Sequence, residues 1–231
     1  MLAESESTAD PQLPAPDTSR REKEATTNVK EEPYSIFSSA EQWLIIFIIT
    51  FAGFFSPLTA NIYLPALPAV ASDLNEKLES IQLSVTIFMV FQGISPLFFG
   101  SMTDTLGRRP IYIFCLVLFI AANIGLWRLP NVSPNESSGS VYAGLMILRA
   151  LQACGSASVI SIGSGSISDI TLPSNRGGVI GVFQSGTSVG PSLGPVVGGL
   201  LAARFGWRSI FLFLFILASA CTILLILFLP E

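Results

Sequence analysis

The chain has 231 residues and a formal net charge of −4; half of it is hydrophobic, only 12% is charged, and the mean hydropathy is +0.62. A soluble domain carries roughly one quarter charged residues, so a water-soluble globule is excluded. There is no histidine, which excludes imidazole general bases, Ser–His and Cys–His nucleophiles and most zinc sites.

The charge is unevenly placed. Residues 1–42 carry nine acids against four bases, so the acidic balance belongs to the start of the chain and the remainder is close to neutral. Neither part implies a nucleic-acid partner. Residues 1–40 are rich in Ser, Thr, Glu, Asp and Pro and cannot bury enough apolar surface to offset their ordering entropy; a disordered tail is expected there. The start, Met-Leu-Ala-Glu-Ser-Glu, has neither a basic n-region nor an apolar h-region, so the first span is expected to direct insertion.

Residues 41–231 read as a transmembrane domain of six apolar runs, at about 43–63, 81–102, 111–127, 141–168, 178–203 and 210–229. Each is near the length that crosses about 30 Å of hydrocarbon, and the fourth and fifth exceed it. In lipid every backbone polar group needs an internal partner, so the spans are helices; a barrel would show alternating runs of about ten residues. The short links Leu64–Ser80, Thr103–Pro110, Arg128–Ser140, Asp169–Gly177 and Arg204–Ser209 imply a compact all-α polytopic bundle. Cys115, Cys154 and Cys221 fall in three separate runs with no metal-ligand spacing and read as small buried apolar residues.

Basic residues favour a cytosolic N-terminus. That side would then hold Arg20, Arg21, Lys23, Lys30, Arg108, Arg109 and Arg176, against Lys77, Arg128, Arg204 and Arg208 outside. The Asn-x-Ser matches at Asn131 and Asn135 fall on an outer link in that orientation and are candidate glycosylation sites.

Three strings carry chemistry. Gly100-Ser101-Met102-Thr103-Asp104-Thr105-Leu106-Gly107-Arg108-Arg109 is a tight helix–helix turn in which Gly100 and Gly107 permit close approach and Asp104 can cap or pair with an arginine. It reads either as a topology signal or as a gate latch. Arg149 is the one full charge deep in a span, about 12 Å down the fourth run. Such a residue costs about 2.5–3.5 kcal/mol at a helix centre, so it is expected to face the bundle interior. Gly186, Gly190, Gly194 and Gly198 recur every four residues in the fifth run, beside Pro191, Pro195 and Gly199. They form one ridge on which another backbone can close in.

Together these strings resemble the major facilitator superfamily. Gly100 to Arg109 is similar to its loop signature between spans two and three, with Met102 in place of the usual Leu and Thr105 in place of a frequent basic residue. Leu148-Arg149-Ala150-Leu151-Gln152-Ala153-Cys154-Gly155 resembles the span-four signature of proton-coupled members. Gly190 to Gly199 resembles the span-five antiporter signature, and Asp169 to Gly177 the loop before it. The first span, Ser56 to Pro68, is similar to the twelve-span drug:proton antiporters, in particular the fungal quinidine-resistance branch; Gln92 to Pro96 and Gly206 to Phe211 fit that branch as well.

The resemblance implies the N-terminal half of a multidrug transporter that exchanges protons for drugs, xenobiotics or organic cations across the plasma membrane or the vacuolar membrane. Its partners would be the lipid bilayer, the small organic substrate and a second six-span half. Arg149 and Gln152, with Asn61 and Tyr63, would line the cavity or couple protons; Gly100, Asp104, Gly107, Arg108, Arg109, Asp169 and Arg176 would form the cytosolic gate. No cofactor, metal or enzyme activity is implied, the proton being the coupling ion. The residues leave two other classes open: a six-span channel subunit, though no Thr-Val-Gly-Tyr-Gly filter or arginine-repeat helix appears, and a non-transporting half that modulates a partner transporter.

Overall fold

The computed structural model describes residues 39–130 and 139–228. Asn131, Asn135 and residues 1–38 lie outside the described residues, as does the side chain of Asp104. Among the described residues the chain is helical throughout, in the order α1 Ser39–Ile62, a 3-10 turn Leu64–Ala66, α2 Leu67–Asp73, α3 Leu78–Leu106, α4 Arg108–Trp127, α5 Gly139–Ile170, α6 Arg176–Phe205 and α7 Arg208–Phe228.

Six of these helices have 20 residues or more. Among the described residues five stretches are long and apolar enough to cross a membrane: Glu41–Asp73, Leu78–Thr103, Arg108–Trp127, Gly139–Ile170 and Arg208–Leu227. The remaining long helix, α6, has 30 residues, two internal prolines and the glycine ridge, which dilute its apolar character. Serine and threonine hydroxyls inside the helices bond back to carbonyls one turn earlier, as Thr59 does to Phe55 at 2.6 Å and Ser166 to Ile162 at 2.9 Å. That is how a hydroxyl is satisfied where no water competes.

The links differ from the sequence expectation in two ways. Leu64–Ser80, expected only as a short link, holds the 3-10 turn and α2, each with a proline in its first turn, where the missing N–H costs nothing. The Thr103–Pro110 turn contracts to one residue, because α3 runs through Leu106 and α4 starts at Arg108. Gly107 makes that reversal at φ +88°, a left-handed conformation that glycine adopts without a Cβ clash. Gly206 does the same between α6 and α7 at φ +81°.

Packing follows small residues. α6 lies along α1, and α5 sits between α3 and α4 while also touching α1; α7 closes against α4 and α1. One apolar core joins the end of α1, α2, α4 and α7 around Tyr63, Val70, Phe119, Leu126 and Phe211. A second surrounds Phe55, Tyr112, Cys115 and Cys221, and a third Ile49, Ile167 and Phe183.

Candidate transport site

Arg149 is ten residues into α5, roughly 15 Å from its start, and is completely buried. Its Nη1 donates to Gln152 Oε1 at 2.7 Å. The two residues are three apart, on one face of the helix. Gln152 Nε2 in turn donates to Asn123 Oδ1 on α4 at 2.8 Å, and Asn123 Nδ2 donates to the Phe119 carbonyl at 2.7 Å. All three polar side chains are 0% exposed, so each bond forms in low dielectric, where leaving it unmade is expensive.

The charge is met by aromatic rings. Arg149 Cζ stands 4.4 Å from the ring centre of Tyr63 and 4.4 Å from that of Phe88 on α3. A desolvated guanidinium over such rings gains about 2 kcal/mol from their quadrupoles. Tyr63 also packs on Phe211 at 5.9 Å, and Phe211 on Trp207 at 6.0 Å. Trp207 Nε1 donates to Asp73 Oδ2 at 2.7 Å, and Arg208 lies over the Trp207 ring. An aromatic chain thus links the buried cation to the end of α2.

Arg149, Gln152 and Tyr63 meet in this cluster. Asn61 does not: its amide donates to the Pro57 carbonyl at 2.8 Å, and its Cβ faces Gly194. Three members went unmarked in the sequence: Asn123, Phe88 and Ser84, whose hydroxyl lies 3.5 Å from the Tyr63 hydroxyl. Asn123 carried a signal, an amide inside an apolar run, whereas Phe88 is one of 17 phenylalanines and carried none.

At the α3–α4 turn, Arg108 Nε and Asp169 Oδ2 are 2.5 Å apart, joining the start of α4 to the end of α5. The Arg108 guanidinium lies over Gly165, where a Cβ would collide with it. Arg176 donates to the Ser168 carbonyl at 2.8 Å, and Arg109 to the Ile226 carbonyl near the end of α7 at 3.2 Å. A Cβ on Gly100 would only come into ordinary contact with Ser161 on α5. Arg108, Arg109, Asp169 and Arg176 therefore tie together the helix ends of α4, α5, α6 and α7.

The glycine ridge faces α1. A Cβ on Gly186 would collide with Thr50, one on Gly190 would stand 2.8 Å from the Leu58 nitrogen, one on Gly194 2.8 Å from Asn61 Cβ, and one on Gly198 would collide with the Ile62 carbonyl. Pro191 and Pro195 are exposed, each about 100° around the helix from the ridge glycine before it, and a Cβ on Gly199 would lie in ordinary contact with Pro65. On the α3–α5 seam, Ser95 Oγ lies 2.6 Å from Ser158 Oγ and donates to the Cys154 carbonyl at 2.7 Å, while Gln92 donates to Ser56 of α1 at 2.9 Å. No group of three or more metal-ligating residues is found among the described residues.

Comparison with known proteins gives this arrangement its context. Citrate exporter 1 of Aspergillus niger is 40% identical over 87% of this chain and 37% of its own length. The MFS antiporter QDR2 of Candida albicans is 38% identical over 88% of this chain and 39% of its own. A crystallised proton:xylose symporter, XylE, superposes with a TM-score of 0.73 at 17% identity, over 84% of this chain and 46% of that one. The chain therefore spans little more than a third of the length of these curated relatives. The Major Facilitator Superfamily profile matches residues 49–231, and the chain belongs to that superfamily of multi-pass membrane transporters.

Proposed function

We propose that the protein moves small organic molecules of the drug or xenobiotic kind across a membrane by proton-coupled antiport. In this reading the present chain is the N-terminal half, and a second six-span half supplies the facing wall. The observation that carries it is Arg149: a charged side chain, fully buried in a 32-residue helix and supported by an amide relay from two helices. Scaffolding alone gives no return for the cost of keeping a guanidinium at that depth. The named activities of two relatives, citrate export and antiport, support the reading.

The parts have assignable roles. Arg149, Gln152 and Tyr63, buried in this half, line the cavity when the bundle opens and set its polarity. Arg108–Asp169, with Arg109 and Arg176, is the latch at the cytosolic end, and the α1–α6 seam keeps two helices moving as one body. The N-terminus is cytosolic, as the basic residues favour, and the residence is the plasma membrane, with the vacuolar membrane as the alternative. Protons serve as the coupling ion, and none of their carriers is an acid in mid-span of this half, so the carrier lies elsewhere in the whole protein.

The test is flux. The full-length protein is reconstituted in vesicles with an imposed pH gradient, and uptake of a panel of labelled organic molecules is followed. Gradient-dependent uptake that ceases with Arg149→Ala, in protein that still inserts, is the expected result. Gradient-independent single-channel currents, or no flux of any solute, would replace this reading with the channel or the modulator.

A further inference from the structure

The guanidinium of Arg149 has one edge in use and one edge free, and we propose that the free edge docks the carboxylate of the transported molecule. The proposal rests on the transport reading above and names the class of cargo. It departs from the organic cation that the sequence resemblance implies.

The geometry is specific to the nitrogens involved. Nη1 is committed to Gln152. Nε and Nη2 are buried and have no hydrogen-bond partner among the described residues. Those two nitrogens share one edge of the guanidinium: the Nε–H and one Nη2–H run parallel, at the spacing of two carboxylate oxygens. An open edge of this kind recognises a carboxylate by two hydrogen bonds at once. An amide or ketone can accept only through a single oxygen, and an ammonium is repelled.

Among the described residues no acid is bonded to that edge. Asp169 is twenty residues further along α5, roughly 30 Å away, and is held by Arg108. Asp73 is held by Trp207. Glu79 lies nine residues before Phe88 on α3, roughly 13 Å along the axis, and Asp104 lies sixteen residues after it, roughly 24 Å. Glu41 is in the first turn of α1, far from Tyr63. The rings of Tyr63 and Phe88 offset the charge but offer nothing for the N–H directions, so two donors remain unpaired where an unpaired donor is costly.

Access is built from separate elements. Tyr63 follows α1, Phe88 is on α3, and α3 packs along α5 far more than along α1. Separation of α3 from the end of α1 parts the two rings while Gln152 and Asn123 continue to hold Nη1 from α5 and α4. The fork then stays aimed while its surroundings open.

The experiment uses the full-length protein, purified and in vesicles, with benzoate and succinate as probes, benzamide and succinamide as their neutral counterparts, and tetraethylammonium as a cation. Expected are binding of the carboxylates at least tenfold tighter than of the amides, and loss of that preference in Arg149→Lys, which keeps the charge but lacks the fork. A melting curve on each variant reports folding. If Arg149→Lys is not recovered folded, the carboxylate–amide contrast in the unaltered protein decides alone. Equal binding of acid and amide overturns the proposal. So does the absence of carboxylate binding together with non-additive coupling between Arg149→Lys and an Asp→Asn or Glu→Gln substitution elsewhere in the full-length protein, which would show the fork filled by the protein's own acid. Transport of tetraethylammonium without any carboxylate overturns the cargo class and leaves the transport reading standing; if no solute moves, the transport reading fails, while the binding contrast still decides what the fork takes.

Discussion

The carbonyl of Ile62 stands where a Cβ on Gly198 would have to be, so α1 and α6 meet backbone to backbone at that point. The approach is nearly as close at Gly194 and Gly190. In lipid there is no hydrophobic gain from bringing two helices together, and association depends on such close packing. The ridge is thus an interface requirement imposed on α6 by α1, and it explains why α6 keeps glycines that weaken a helix by about 1 kcal/mol each.

Gly194→Leu and Gly198→Ala are expected to destabilise the protein by at least about 1–3 kcal/mol, because backbone cannot shift as a side-chain tip can. Gly181→Ala is the control. A Cβ there meets nothing within 4 Å, so it should be neutral or slightly stabilising through helix propensity. Melting temperatures of detergent-solubilised protein separate the two classes, and a Gly194→Leu protein that melts and transports normally would remove the seam from the account.

The Arg108–Asp169 pair is partly exposed, at 34% and 55% of the two side chains. Pairs of that kind contribute about 0–1 kcal/mol. Asp169→Asn should therefore leave the melting temperature almost unchanged yet alter transport rate if the pair opens and closes in each cycle. The charge-exchanged double variant Arg108→Asp/Asp169→Arg should recover part of the rate. A rate unchanged in Asp169→Asn would reduce the pair to decoration of the helix ends.

Trp207→Phe separates two contributions at the other end of the bundle. The ring stacking on Phe211 survives, whereas the Nε1 bond to Asp73 is lost. A hydrogen bond to a charged acceptor contributes about 1.5–3 kcal/mol, less at an exposed partner, and Asp73 is exposed. A loss of about 1 kcal/mol is expected, and Asp73→Asn should give a similar value with little further loss in the double variant.

What could be read in advance follows a physical division. A charge in oil and a four-residue glycine period are signals carried by single residues and by spacing, so Arg149 and the α6 ridge were visible in the sequence. The partners were not. Phe88 meets Arg149 only because α3 and α5 pack together, and nothing in its neighbourhood distinguishes it from other phenylalanines. Asn61 and Tyr63 looked alike as polar residues at one helix end, but two residues differ by about 200° around a helix. Tyr63 consequently reaches Arg149 while Asn61 faces α6. The Leu64–Ser80 segment was legible only as a link because α2 has only seven residues, although a proline stands in the first turn of each of its helical pieces.

Asn123 offers the sharpest test of the amide relay, since it touches Gln152 and not Arg149. Asn123→Leu keeps the branched shape and removes the acceptor for Gln152 Nε2. The Gln152 amide is then left with a buried unpaired donor, worth about 1–3 kcal/mol, or it rotates and releases Arg149 Nη1. Gln152→Leu alone strips Nη1 of its partner directly. If the three residues act as one unit, the double variant Asn123→Leu/Gln152→Leu costs no more than Gln152→Leu by itself, with a coupling of at least about 0.5 kcal/mol. Additive losses would mean that Asn123 stabilises α4 alone, through its bond to the Phe119 carbonyl, and that Arg149 is positioned by its aromatic neighbours and not by the relay.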